Sequence, residues 1–217
     1  MITRMAFRKA SPGPFRLLCL GAHADDIEIG AGGMITRMLA EMQPIEVTWL
    51  VFSASRPRKK EAEASAMDFL DGAHAKHIRV RNYRDGFFPS EWDRIKEEFE
   101  RVKHFDPDLV LTHYREDRHQ DHRVISDLAW NTFRNHFILE YEIPKYDGDL
   151  GIPNYFVEVD EATARRKYDL IHKHFESQRV KHWFSEDTIL GLMRLRGLES
   201  GRDSKYAEAF HARKVVW

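Results

Sequence analysis

Two short polar runs carry most of the chemistry this chain can offer: His23-Ala24-Asp25-Asp26 and His119-Gln120-Asp121-His122-Arg123. The first supplies a nitrogen from His23 and an oxygen from Asp26 to one divalent cation, and leaves Asp25 free as a base. The second adds His122. Three protein ligands with one open position form a catalytic zinc site, and a nitrogen-rich set with one carboxylate suits that metal. Zn2+ is therefore the expected ion, with another divalent metal such as Fe2+ as the alternative. Such a metal lowers the pKa of its water to about 7, and a neighbouring carboxylate, here Asp25, takes the proton as the water attacks a carbonyl. His119, when protonated, stabilises the developing oxyanion and later protonates a leaving amine, with Asp121 orienting it and holding its charge.

Both runs also have a plainer reading. Asp25 followed by Glu28 fits a capping arrangement at a helix N-terminus. Asp121 can cap the helix after it, leaving the histidines as surface residues. Repetition favours the metal. Each run follows a short apolar stretch and precedes a helical stripe, so both are expected at the same edge of one sheet. His113 opens the second loop and is intermediate, while His74, His77, His104, His136, His172, His174, His182 and His211 read as surface or packing residues.

The framework that holds these loops can be read from the apolar pattern. Residues 17–20 form a buried strand that breaks at Gly21, and Ile27, Met34, Ile35, Met38 and Leu39 then recur at helical spacing up to Pro44. A second strand is predicted over residues 45–52, a helix over 58–70 stopped by Gly72, and a short strand over 77–81. Ser90 is expected to cap a helix carrying Ile95, Phe99 and Val102, which ends at Asp106-Pro107. Residues 109–112 make another buried strand, followed by the stripe Ile125, Leu128, Ala129 and Thr132. This alternation predicts right-handed crossovers and an α/β, Rossmann-like, mainly parallel sheet with helices on both faces. Ligands in such sheets gather outside the carboxyl ends of the strands, where both polar loops start.

The chain has 217 residues, enough for one α/β domain over 1–217. Residues 1–14 read as a loosely held start. Lysine and arginine number 34 against 35 aspartates and glutamates, so there is no global basic field to attract nucleic acid. The single cysteine, Cys19, cannot form an internal disulfide and suits a reducing cytoplasm. No apolar run is long enough to span a bilayer, and the first residues lack the apolar core of a secretory signal.

The two runs resemble the signature motifs of the LmbE-like, or PIG-L type, N-deacetylases. The likeness extends to Arg58 and Glu61, Asp85-Gly86, Pro107-Asp108, Ser177-Gln178, Arg196-Gly197 and Tyr206-Ala207-Glu208-Ala209-Phe210. It implies a Rossmann-like zinc hydrolase that removes an acyl group, usually acetyl, from an amino-sugar amide. By motif position it places the metal on His23, Asp26 and His122, the base on Asp25, and the oxyanion and acid pair on His119 and Asp121. Ala24 stands where the family usually has proline, and members differ in the residue two before the equivalent of His119, here Asp117. A homo-oligomer is implied by the resemblance alone.

The substrate side is less sharply drawn. Residues 137–153 lack a clear period and read as a long loop or short irregular strand, with Tyr141, Glu142, Tyr146 and Tyr155 available to a sugar ring. Asn154 to Val159 reads as a strand, and Asp160 as the cap of a helix. Arg58, Arg123, Arg194, Arg196 and Arg202 are candidates for an anionic substrate group, with Arg58 placed nearest by the resemblance.

Three other readings compete. Gly30, Gly32 and Gly33 after a strand suggest a dinucleotide enzyme, but they fall inside the helical pattern rather than in the turn. The run Asp117-x-His119-x-Asp121-His122 resembles a metallo-β-lactamase-like motif with its first histidine replaced, a site that belongs to a two-sheet sandwich. A metal- and carbohydrate-binding protein without turnover would be expected to have lost a ligand or the base, and all are present.

Overall fold

The computed structural model describes Phe7, residues 12–201 and residues 204–215. The predicted start at 1–14 lies largely outside the described residues. Phe7 within it packs against the rings of Phe15, Phe137 and Tyr155.

Seven strands form one sheet. They are β1 (Phe15–Gly21), β2 (Ile45–Val51), β3 (Ala75–Val80), β4 (Leu109–His113), β5 (Phe137–Tyr141), β6 (Tyr155–Val159) and β7 (Tyr206–Ala212), in the order β3-β2-β1-β4-β5-β7-β6. The first five are mutually parallel; β7 runs antiparallel to both β5 and β6. β1 and β4 are near-continuous apolar runs because helices cover both faces of a parallel sheet. Six helices do so: α1 (Asp26–Glu41), α2 (Arg56–Phe69), α3 (Trp92–Val102), α4 (Gln120–Thr132), α5 (Glu161–His174) and α6 (Glu186–Glu199). Ile27, Ile35, Phe69 and Ile171 from α1, α2 and α5 fill the core on one face, while Ile95, Phe99, Ile125 and Leu128 from α3 and α4 fill the other.

The sheet departs from the sequence expectation in two places. Residues 137–141 are a regular parallel strand rather than an irregular segment, and loop begins only after Tyr141. β7 escapes the pattern because Ala207 and Ala209 alternate with Tyr206, Glu208 and Phe210 and all five are buried, so no polar face marks the strand. Ser90 lies inside a short 3-10 turn, Phe88–Glu91, with its hydroxyl donating to the Phe87 carbonyl, and does not cap α3.

The glycines of α1 serve packing. A Cβ on Gly30 would sit 2.2 Å from Cδ2 of Tyr141, and one on Gly33 would meet the Glu208 carboxylate at 3.0 Å. Glu208 takes up that space by accepting hydrogen bonds from the amides of Gly33 (2.7 Å) and Met34 (2.6 Å). Lys167, buried in α5, donates to Glu208 and to the Ile29 carbonyl, so α1 is pinned to the sheet by an enclosed ion pair. Close packing thus accounts for the glycines that suggested a dinucleotide.

Candidate active site

Strand order reverses its direction of growth between β1 and β4, and the loops leaving their carboxyl ends diverge to open a crevice. His23, Asp25 and Asp26 stand on one loop and the start of α1; His113 ends β4, and Asp117, His119, Asp121 and His122 stand on the loop after it and the start of α4. The loops are tied together by the Ala22 amide, which donates to His113 Nε2 at 2.9 Å. His113 is fully buried and stacks on His122 with centroids 3.9 Å apart.

Three ligand atoms face one another in the crevice. His23 Nδ1 lies 3.2 Å from His122 Nε2 and 3.4 Å from Asp26 Oδ2, and His122 Nε2 lies 3.6 Å from that same oxygen. A tetrahedral ion with bonds of about 2.0 to 2.2 Å needs ligand atoms about 3.3 to 3.6 Å apart, so the set fits zinc. The far sides of both rings support it. His23 Nε2 lies 3.2 Å from Asp121 and 3.1 Å from Asp85, and His122 Nδ1 lies 2.9 Å from Asp117. Carboxylates behind the rings draw the imidazole protons outward and leave lone pairs directed inward. Overlapping groups also bring ligand atoms together: His23, His119 and His122, and Asp26, His113 and His122, each share two residues with this set, while His23, Asp85, His119 and Asp121 share His23.

The charges agree. Burial presses His23 down, yet Asp26, Asp121 and Asp85 outweigh it and hold its pKa well above the ordinary histidine range. Burial resists ionisation of Asp26, but the His122, His113 and His23 charges hold it well below the usual carboxylate range. Both shifts have one cause: the acids around His23 favour positive charge in the crevice. Burial and the neighbouring His113 charge lower His122, keeping a free nitrogen available.

Asp25 is buried behind this set. Its Oδ1 accepts from Arg58 at 2.8 Å, while its Oδ2 is enclosed with no hydrogen-bond partner among the described residues. It makes no side-chain cap on α1, and Glu28 turns inward to accept from Ser65, so the capping arrangement does not form.

His119 and Asp121 are related differently from the expectation. Asp121 accepts from the amides of Gly86 (2.6 Å) and Phe88 (3.1 Å) and backs His23. His119 Nδ1 itself accepts from the Asp121 amide at 3.2 Å and caps α4, which leaves the ring proton on Nε2. Burial and the charges of His122 and His23 lower its pKa, so it is a neutral donor rather than an imidazolium.

The crevice is a cavity of about 260 Å³ whose floor includes His23, Asp25, Arg58 and His119 and whose outer wall includes Tyr146 and Trp183. Two of the predicted substrate residues are elsewhere. Tyr141 is fully buried and donates its hydroxyl to the Leu20 carbonyl at 2.6 Å, as a core residue. Arg123 turns back to the carbonyls of Arg118 and Asp117 and fastens its own loop. Arg196 is buried against Glu142, Arg194 reaches the Lys205 carbonyl, and Arg202 lies outside the described residues. Lys145 and Trp183 line the cavity without any signal in the sequence, whereas Asp85 and Asp117 enter the sequence reading through their motif positions.

A Rossmann-like sheet with a histidine and carboxylate crevice at its switch point defines the class. The PIG-L family model, described as GlcNAc-PI de-N-acetylase, matches residues 18–133, and the chain belongs to that family of deacetylases. Among solved structures the chain is similar to N,N'-diacetylchitobiose deacetylase from Pyrococcus horikoshii, with 24% identity, TM-score 0.71, and coverage of 91% of this chain and 83% of the other. It is similar to the zinc-inhibited form of teicoplanin deacetylase Orf2, with 17% identity, TM-score 0.68, and coverage of 91% and 97%. It is also similar to GalB, the 4-carboxy-2-hydroxymuconate hydratase from Pseudomonas putida KT2440, with 16% identity, TM-score 0.73, and coverage of 94% and 98%. The three share the fold, and a hydratase among them shows that the fold by itself does not fix the reaction.

Proposed function

We propose that this protein is a zinc-dependent N-deacetylase acting on a small N-acetylated amino sugar or its conjugate. The observation that carries the reading is the 3.2 to 3.6 Å triangle of His23, Asp26 and His122, with the unpartnered Oδ2 of Asp25 buried in the same cavity. His23, Asp26 and His122 would hold a divalent cation, which would lower the pKa of a water and polarise an acyl oxygen.

The chain's own residues supply the rest. Asp25, fixed through Oδ1 by Arg58, takes a proton at Oδ2 and can pass it to the leaving amine. His119 offers its Nε2 proton to the developing oxyanion, its ring held by the Asp121 amide. Arg58 and Asp85 line the same cavity and are positioned to hydrogen-bond sugar hydroxyls. The test is amine release from a panel of free, glycosidic and nucleotide-linked N-acetylated amino sugars, with zinc and with a chelator. Release that the chelator abolishes is expected; none from any member, with zinc shown to be bound, would refute the reading.

A further inference from the structure

A second cavity of about 20 Å³, room for about one water, adjoins the first. Ile29 and Pro144 line both, and so form the partition between them. The charged groups of the second cavity are already satisfied by one another: Lys167 donates to Glu208 at 2.7 Å, and Arg196 Nε to Glu142 at 2.9 Å. The rest of its lining is aliphatic or small, with Ile189, Met193 and Ala209 beyond the partition. Such a space receives an alkyl chain and refuses a further ion.

The first cavity has a polar and an apolar side. Arg58 and Asp85 reach it from the segments after β2 and β3; Ile143 and Pro144 reach it from the segment after β5, across β1 and β4. An N-acylated sugar has hydroxyls on its ring and none on its acyl tail, so the ring is drawn to the first pair and the tail to the second. Ile29 stands between the tail and the space behind. It follows Asp26 by three residues on α1, which puts the two Cβ atoms about 5 to 6 Å apart on one helical face. Its side chain is buried and its carbonyl accepts from Lys167 Nζ at 2.6 Å, so the residue is held where it is.

We propose that Ile29 is a specificity-determining residue that limits the acyl group to acetyl by closing off the second cavity. Acetyl ends at the partition, whereas propionyl and butyryl have to enter the volume that the Ile29 side chain fills. Ile29→Ala removes three carbons there and joins the two cavities; butyryl exceeds acetyl by two. This rests on the deacetylase reading of the proposed function, and its test reads acyl chain length rather than turnover as such.

Amine release is measured with zinc from the N-acetyl, N-propionyl and N-butyryl forms of whichever panel sugar the unaltered protein deacetylates fastest. By kcat/KM the unaltered protein is expected to favour acetyl over butyryl by about 100-fold or more, and Ile29→Ala to reduce that ratio at least about tenfold, the worth of one or two methylenes in an apolar pocket. Ile29→Val, which removes one carbon, should admit propionyl but not butyryl, and decides the matter if the alanine variant does not fold. Met193→Ala enlarges the second cavity without opening the partition and should leave the acyl preference as it is. Three results would overturn the gate and leave the deacetylase reading standing: butyryl released as readily as acetyl by the unaltered protein, an acetyl preference unchanged in the folded Ile29 variants, or a gain of butyryl in Met193→Ala alone. No amine from any panel sugar, with zinc shown to be bound, would overturn both.

Discussion

Glu28 offers a test of how tightly the start of α1 is enclosed. Its side chain is fully buried two residues after Asp26, with Oε1 accepting from Ser65 at 2.7 Å and Oε2 without a partner. Burial, reinforced by the Asp25 and Asp26 charges, pushes its pKa from 4.5 up to about 8. A carboxyl whose pKa is raised on folding makes its full relative contribution below the unfolded pKa and loses it as pH rises through the folded one. At about 1.4 kcal/mol per pKa unit, the loss totals about 4 to 5 kcal/mol, and about 2 to 3 kcal/mol of it falls between about pH 6 and pH 9. Glu28→Gln keeps the shape and the Ser65 hydrogen bond but cannot ionise. Urea unfolding of both proteins with chelator present should show their stability difference widening by that amount in favour of glutamine over this range. In thermal melts the same change should be about 5 to 10 °C. A difference that stays constant across the range would refute the neutral, enclosed carboxyl.

If Asp25 serves as the proposed base and not as a ligand, Asp25→Asn should lower deacetylation about 10²- to 10⁴-fold while zinc affinity by chelator competition is unchanged. Tyr141→Phe should cost about 1 to 2 kcal/mol in urea unfolding through loss of its 2.6 Å bond to Leu20, with KM unaltered; a large rise in KM would return Tyr141 to the substrate. Lys167→Met should cost about 3 to 5 kcal/mol in urea unfolding, since Glu208 would stay buried on α1 without its cation.

Much of the parallel half of the fold was legible because its signals are local. A buried strand, a polar loop and a helical stripe repeat within about thirty residues, and His23, Asp26 and His122 each sit at the junction of such a unit. The illegible part depends on which way a side chain faces after the chain has gone elsewhere. Tyr141 ends a strand that reads as irregular, and nothing local shows that it turns toward Gly30 of α1 rather than toward the cavity. Arg123 belongs to a ligand motif, yet its position on α4 directs it back to the carbonyl of Arg118. Asp121 lies two residues from His119 and invites pairing with it, but the amides of Gly86 and Phe88 claim its oxygens from the far side of the crevice. Lys145 comes from a stretch with no period at all.

These misreadings share a physical cause. The carboxylates that matter here are held by backbone amides from distant or adjacent turns: Asp26 by His23 at 2.6 Å, Asp117 by His119, and Asp121 by Gly86 and Phe88. An acid fixed in this way needs no lysine or arginine beside it in sequence, so the usual signature of paired charges is missing. The consequence for function is that negative charge is set in place by the fold before any ligand arrives. Three fixed acids around the imidazoles make the crevice favour positive charge. Preorganisation of this kind keeps the reorganisation needed during reaction small, because the groups around the reacting atoms are already oriented by backbone.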